Sequence, residues 1–412
     1  MGNILITNIK GLVQVREENP AKVAGAKMAE LPVWEDAFLY IKDGLIADFG
    51  PMEHCPAEVD TEKIDATGKY VFPSYVDSHT HLVYAGSREK EFVLRIKGAT
   101  YEEIAAAGGG ILNSAKKLAD TSEEELLRSA EIRLQEIIRS GTGAVEIKSG
   151  YGLSTEAEIK MLRVIKELKK KSPIPIKATF LGAHAVPLIY KENRGEYIRL
   201  ITEEMIPHIA KEELAEYVDV FCDRGFFTVE ETETIILKGL EYGLKPRLHA
   251  NELDYSGGIQ VGVKHGAVSV DHLEFTGEAE IEVLLNSNTI PTLLPSTAFF
   301  LRLHNPPARQ MIDSGLAVAL ASDYNPGSSP SGNMNFVLSL ACINLRMLPE
   351  EAINAATINS SFALEINNTH GSITKGKAGN VFITQPMNDY TFLPYSFGTN
   401  RIETVILNGE FN

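Results

Sequence analysis

Disulfide chemistry has little to work with in this chain. Its 412 residues include three cysteines, Cys55, Cys222 and Cys342, which are far apart and odd in number. That excludes a disulfide framework and fits a reducing cytosol, so a cytoplasmic location is expected. Basic charge is also short. Thirty-nine Lys and Arg stand against 55 Asp and Glu, for a net charge of −16. The densest basic run, Lys169-Lys170-Lys171, falls at an expected helix end, where cations suit the dipole. No nucleic-acid partner is expected. No uninterrupted apolar run reaches transmembrane length, so no membrane partner is expected either. The opening residues, Met1-Gly2-Asn3-Ile4-Leu5-Ile6, lack the basic region and long apolar core of a signal peptide.

Apolar material, in contrast, is plentiful. At 44% hydrophobic residues the chain can bury a large core and divide into more than one compact unit. The first 70 or so residues read as β. Phe38–Lys42 and Leu45–Phe49 flank Asp43-Gly44, a strong hairpin signal. The end of the chain reads the same way, with strand-like Asn380–Thr384 and Ile402–Leu407 followed by Asn408-Gly409. Neither block has a helix of its own to cover it. One small β-sandwich domain built from both termini, 1–72 and 367–412, is therefore expected.

Residues 73–366 alternate strands and helices. Expected strands lie at 70–76 leading into Asp77-Ser78-His79-Thr80-His81, then at 144–147, 176–181, 217–222, 246–250, 268–272, 290–294 and 317–323. Capping patterns at Thr121-Ser122-Glu123-Glu124, Thr155–Glu158 and Thr228–Glu231 open helices between them. Gly108-Gly109-Gly110 is too flexible for the interior of an element. Eight strands with intervening helices predict an α/β fold, a (β/α)8 TIM-like barrel. A doubly wound sheet is disfavoured, because no Gly-rich phosphate turn follows the first strand.

In such a barrel the strands' C-terminal ends meet on one face. His79 and His81 end the first strand, His184 the third, His249 the fifth, His272 the sixth and Asp323 the eighth. An H-x-H pair on an extended strand aims two imidazoles to one side. Alone it is weak, since ten histidines in 412 residues give roughly one chance pair in every four such chains. With the other strand ends it becomes a candidate metal site of His79, His81, His249 and Asp323. The fourth strand has no lysine that could carry a bridging carbamate, and Cys222 there reads as core, so one ion is expected. Glu252, three residues after His249, stands beside the ion rather than on it and could carry a proton to a leaving nitrogen. His272 and Asp323 are candidates to take or orient the proton of the attacking water. Each has an ordinary alternative: a surface helix cap for Glu252, a satisfied core histidine for His272, and a helix N-cap for Asp323.

These residues, in this order, resemble the amidohydrolase superfamily across essentially the whole chain. The missing lysine and the His249-x-x-Glu252 spacing resemble its mononuclear branch, which includes cytosine and guanine deaminases. Finer motifs resemble one ring-opening branch: His81–Arg88, Glu146–Leu153, Thr179–His184 and Ser322–Ser328. That resemblance implies hydrolysis of the lactam C–N bond of 4-imidazolone-5-propanoate to N-formimidoyl-L-glutamate in histidine degradation. It implies one zinc or iron ion on His79, His81, His249 and Asp323, with Glu252, His272 and Asp323 catalytic. It also implies a small-molecule substrate surrounded by Arg88, Tyr151, His184, Glu252, Asn325, Gly327 and Ser328. Arg88 suits the propionate, since a guanidinium can hold a carboxylate with two parallel hydrogen bonds. The oligomer is not given by the sequence; large barrels of this type often form dimers, so a homodimer is compatible. The rival activities are a deaminase on the same scaffold, which would release ammonia, and a non-catalytic relative, which would have lost ligands.

Overall fold

The computed structural model describes residues 2–56, 59, 61–99, 103 and 109–412. Gly108 of the glycine run lies outside the described residues. The chain begins with β1 (Ile4–Val13), β2 (Val33–Lys42) and β3 (Leu45–Pro51) in an antiparallel meander. Asp43 and Gly44 turn the β2–β3 hairpin with φ of 52° and 78°, so Lys42 faces Leu45. Two left-handed residues are what a tight hairpin turn needs to match strand twist. β4 (Glu62–Asp65) and β5 (Tyr70–Pro73) lie parallel to β1.

Eight parallel strands follow: β6 (Tyr75–Asp77), β7 (Thr142–Lys148), β8 (Ile176–Ala183), β9 (Tyr217–Cys222), β10 (Lys245–Ala250), β11 (Ser269–His272), β12 (Ile290–Leu293) and β13 (Ala319–Leu320). Each pairs with the next in chain order, as a (β/α)8 barrel requires. The ring closes just past the last strand. Thr80 bridges Tyr324, the His81 amide donates to the Tyr324 carbonyl at 2.9 Å, and the Asp323 amide donates to the His79 carbonyl at 3.0 Å. Three of the four candidate ligands, His79, His81 and Asp323, therefore sit on the closing seam.

The chain then returns to the first sheet with β14 (Val381–Thr384), β15 (Ile402–Leu407) and β16 (Glu410–Phe411). β14 pairs antiparallel with β5, setting Phe382 opposite Phe72, and joins both chain ends in one eight-stranded mixed sheet. Its packed side is aliphatic, with Ile4, Ile6, Leu12, Leu39, Val71, Ile383 and Ile406 all buried.

Helices open where the capping patterns place them. Ser122 accepts the Glu125 amide to start Glu123–Arg139, Ser154 accepts the Ala157 amide to start Thr155–Lys171, and Thr228 with Glu231 forms a capping box at Val229–Glu241. Three boundaries differ from the sequence reading. The lead-in at 70–76 divides at Ser74, whose amide donates to the Asn380 carbonyl of the terminal sheet, while the Tyr75 amide turns to Gly141 in the barrel. The eighth strand is two residues long, because the seam bonds replace further ladder. A helix, Pro295–Leu301, which the sequence reading did not place, follows β12; Pro295 takes the first helical turn, where no amide hydrogen is needed. Among the described residues no helix is long and apolar enough to cross a membrane.

Candidate active site

His79 and His81 lie on the extended segment past β6, and His249 points inward from β10. One ring nitrogen from each falls within 4.8 Å of the others, and all three residues are buried. Asp323 Oδ1 stands 3.5 Å from His79 Nε2 and 3.4 Å from His81 Nε2. Those spacings are the edge of a tetrahedron whose corners lie roughly 2.1 Å from its centre, the bond length of zinc-like ions to N and O. His79 Nε2 and His249 Nε2 have no hydrogen-bond partner among the described residues. Three converging imidazoles and a carboxylate fit a divalent metal ion.

A second layer explains why those nitrogens are bare. Asp271 Oδ2 accepts the Nδ1–H of His79 at 2.7 Å, and Asp219 Oδ2 accepts the Nδ1–H of His249 at 3.0 Å. A carboxylate can only accept, so each ring carries its proton on Nδ1 and turns a lone pair on Nε2 to the centre. Lys148 joins the two carboxylates: its Nζ donates to Asp219 Oδ2 at 2.8 Å and stands 3.7 Å from Asp271 Oδ2. Lys148 also donates to Glu146 at 2.8 Å, and Arg247 donates to the Ser78 carbonyl at 2.9 Å. All five charged side chains are fully buried. Burial alone would raise Asp219, but His249 and Lys148 hold it well below the usual carboxylate range. Burial and then the Lys148 charge hold the His79 imidazole well below its ordinary value, so it stays neutral.

Strand alternation puts Asp271 inside and would turn His272 away. Left-handed backbone at His272 (φ 82°) and Leu273 (φ 72°) breaks that alternation. His272 then joins the cluster, its ring 5.2 Å from His249, with Nδ1 3.8 Å from Glu252 Oε2. Two such residues in succession are costly, and their presence at the strand ends marks the place as functional. Glu252 is buried, and burial together with the Asp323 carboxylate pushes its carboxyl up to about 8. Asp223 braces its loop by accepting the Glu252 and Leu253 amides at 2.7 and 2.9 Å. Asp323 sits in left-handed backbone (φ 52°), and its Oδ2 accepts the Thr297 hydroxyl at 2.5 Å. Burial favours its neutral form, but His81, His272 and Thr297 outweigh that and keep it ionised.

The expected substrate contacts line the same mouth. His184 stacks on His81 at 5.4 Å and bonds the Gly150 carbonyl through Nδ1 at 3.0 Å. Tyr151 packs 5.5 Å from His184 and 5.8 Å from His81. Arg88 is not a solvated surface arginine: Glu91 holds its Nε and Nη2 at 2.8 and 2.6 Å. Its Nη1 reaches Gly327, where a Cβ would stand only 2.2 Å away, so no larger residue fits without displacing the guanidinium. Asn325 shapes the rim. Its Oδ1 accepts the Gly327 and Ser328 amides at 2.8 Å, and its Nδ2 donates to the Asp323 carbonyl and the Ser328 hydroxyl at 2.7 Å. Cys222 is buried in β9, as a core residue would be.

The sequence reading missed Glu146, Lys148, Asp219, Arg247, Asp271, Thr297 and Glu274 as parts of this neighbourhood. A signal existed for several of them. Glu146 and Asp219 interrupt apolar strands at the alternation of inward residues, where an unpaired charge would not be tolerated.

Comparison with known proteins agrees with this architecture. The family model described as "Amidohydrolase family" matches residues 70–411. An imidazolonepropionase of Flavobacterium johnsoniae is 58% identical, over 98% of this chain and 99% of that protein. That of Christiangramia forsetii is 54% identical over 99% of each, and one from Geobacillus sp. is 42% identical over 100% of this chain and 98% of its own. Among solved structures, a triazine hydrolase variant superposes with a TM-score of 0.75 at 16% identity, covering 99% of this chain and 94% of that one. E. coli guanine deaminase superposes with a TM-score of 0.74 at 14% identity, covering 100% and 99%. At such low identity these two speak for the fold alone.

Proposed function

This chain belongs to the amidohydrolase family, and on that premise we propose that it hydrolyses the lactam C–N bond of 4-imidazolone-5-propanoate, giving N-formimidoyl-L-glutamate, a reaction of histidine degradation. The observation that carries the reading is the convergence of bare nitrogens from His79 and His249, with His81 and Asp323, beside a buried neutral Glu252. His79, His81, His249 and Asp323 would hold one ion, and their three-nitrogen, one-oxygen set suits zinc or iron. When bound, the ion supplies a Lewis acid for the lactam carbonyl and makes water more acidic.

The remaining work falls to side chains. Asp323, ionised and steadied by Thr297, accepts a proton from the attacking water, and His272 orients that water. His272 then donates to the oxygen on which negative charge develops. Glu252 starts in its neutral form and hands its proton to the ring nitrogen as the C–N bond opens. Arg88, aimed by Glu91 and held against Gly327, pairs with the propionate. Tyr151 and the Ser328 hydroxyl supply donors around the ring and carboxylate, and His184, whose Nδ1–H is taken by the Gly150 carbonyl, offers Nε2 as an acceptor, in a rim that Asn325 shapes.

The test is to incubate metal-loaded protein with 4-imidazolone-5-propanoate and follow mass and ammonia together. A gain of one water with no ammonia is expected. Ammonia release without ring opening would overturn the reading in favour of deamination.

A further inference from the structure

Glu274 is 3% exposed, and neither of its carboxyl oxygens has a hydrogen-bond partner among the described residues. A buried carboxyl left bare is expensive, so its retention calls for a partner that arrives. Its backbone is firmly held. The Leu273 amide donates to the Ala250 carbonyl at 3.2 Å and the Phe275 amide to the Asn251 carbonyl at 2.8 Å. His304 Nε2 meets the Glu274 carbonyl at 3.0 Å, and the Phe275 ring packs edge-on against His304 at 4.2 Å. These bonds lay the segments after β10 and β11 side by side and bring Glu274 next to Glu252. Burial, then the neighbouring carboxyl groups of Glu252, Asp323 and Asp223, hold the Glu274 carboxyl well above the usual range. Buried and neutral beside the segment that carries Glu252, it is an O–H donor.

We propose that Glu274 is a substrate-contacting acid that, paired with Glu252, recognises and protonates the N–C–N end of the ring. This rests on the ring-opening reading above. The proton count explains why two acids are useful there. Water adds across the lactam: a C–O bond forms and the C–N bond breaks. One water proton ends on the freed nitrogen. The other leaves the new carboxylic acid, which ionises, and ends on the amidine, a much stronger base than a carboxylate. The product end is then an amidinium. Glu252 delivers the first proton as the bond breaks. Glu274 delivers the second and remains as the carboxylate that pairs with the amidinium, the geometry that makes arginine–carboxylate pairs strong. Asp323 takes the two protons in turn, one from the attacking water and one from the new carboxylic acid, and returns them to Glu252 and Glu274.

The test compares metal-loaded wild type with Glu274→Gln and Glu274→Met. Since the Glu274 side chain has no hydrogen bond to any other described residue, neither variant removes a contact between elements. Glu274→Met is expected to keep its metal and to melt about 2 °C higher, because an unsatisfied buried polar group is gone. Both variants are expected to lose at least tenfold in kcat and to be inhibited at least tenfold more weakly by N-formimidoyl-L-glutamate. Variants within twofold of wild type in both quantities would overturn the proposal, as would a lowered melting point with loss of metal. A separate arm measures binding of formamidinium to wild type and Glu274→Gln by saturation-transfer NMR. If wild type leaves the imidazolone intact yet binds formamidinium only with Glu274 present, the reaction assignment fails and the amidinium site stands. If wild type opens the imidazolone and Glu274→Gln does so equally fast, the reverse holds.

Discussion

The terminal sheet and the barrel lip solve the problem of filling space in opposite ways. The sheet packs aliphatic side chains such as Ile6, Leu39 and Ile383 against one another. The lip, equally dry, holds Glu146, Lys148, Asp219, Arg247 and Asp271 in mutual contact. Aliphatic burial stabilises by about 1.5–3 kcal/mol for each large side chain and says little about orientation. Buried ion networks give back in Coulomb energy much of what desolvation costs, so their net stability is small. What they fix is direction: which nitrogen of His79 and His249 carries the proton and where the other points. The difference teaches that stability and aim are held in separate regions of one molecule.

The comparison is sharpened most by removing a proton carrier. Glu252→Gln is expected to lower kcat by about 10²–10⁴ with KM little changed and unfolding unaffected, read by steady-state kinetics and denaturant titration. Full turnover in that variant would sink the proton-carrying role. The converse change is Leu39→Ala, deep in the aliphatic sheet. It should cost about 2–5 kcal/mol of stability while kcat/KM of the folded fraction stays at the wild-type level. If kcat/KM fell in step with stability, the separation between the regions would be broken. Asp271→Asn, which leaves His79 without its carboxylate, should weaken metal affinity by about 10–100-fold in chelator competition, with kcat recovered at saturating metal.

The smallest effect lies at the edge of the terminal sheet, where the Ile46 amide of β3 donates to the Lys377 carbonyl. Lys377 is buried there with the His370 carbonyl and the Ser372 hydroxyl as acceptors, and burial pulls it down to about 8. Because its folded value lies below the ordinary lysine value, the folded state disfavours the proton that the unfolded chain still binds. Stability should therefore rise as pH increases from about 8 toward about 10.4, by about 1 kcal/mol once solvent screening is counted, and this rise should vanish in Lys377→Met.

Much of this was legible in the sequence because local rules wrote it. Asp43-Gly44, Ser122 and Thr228 act through their immediate neighbours, so hairpin and helix starts fall where expected. The alternation of strands and helices gave the barrel, and strand ends rich in histidine gave its working face. The contacts that stayed hidden are long in sequence. Lys148 reaches Asp219 across 71 residues, and His79 reaches Asp271 across 192. His272 was placed correctly at a strand end, but alternation alone would turn it outward; the left-handed backbone that brings it in has no glycine to announce it. Thr297 stayed hidden because the helix that carries it, Pro295–Leu301, was not placed from the sequence. Arg88 and its Glu91 partner look like a solvated surface run until the fold folds them under the rim.

The seam that closes the barrel is made of two backbone hydrogen bonds and no further ladder. The Asp77 carboxylate adds one side-chain bond across it by accepting the Ser322 amide at 3.0 Å. His79 and His81 lie on one side of that seam and Asp323 on the other, so an ion held by all three would bridge it. Stripping the metal should then loosen the ring at one place first, seen as early hydrogen exchange of the His81 and Asp323 amides while those of β8 to β10 stay protected. The proposed ligands would then also be the clasp of the barrel.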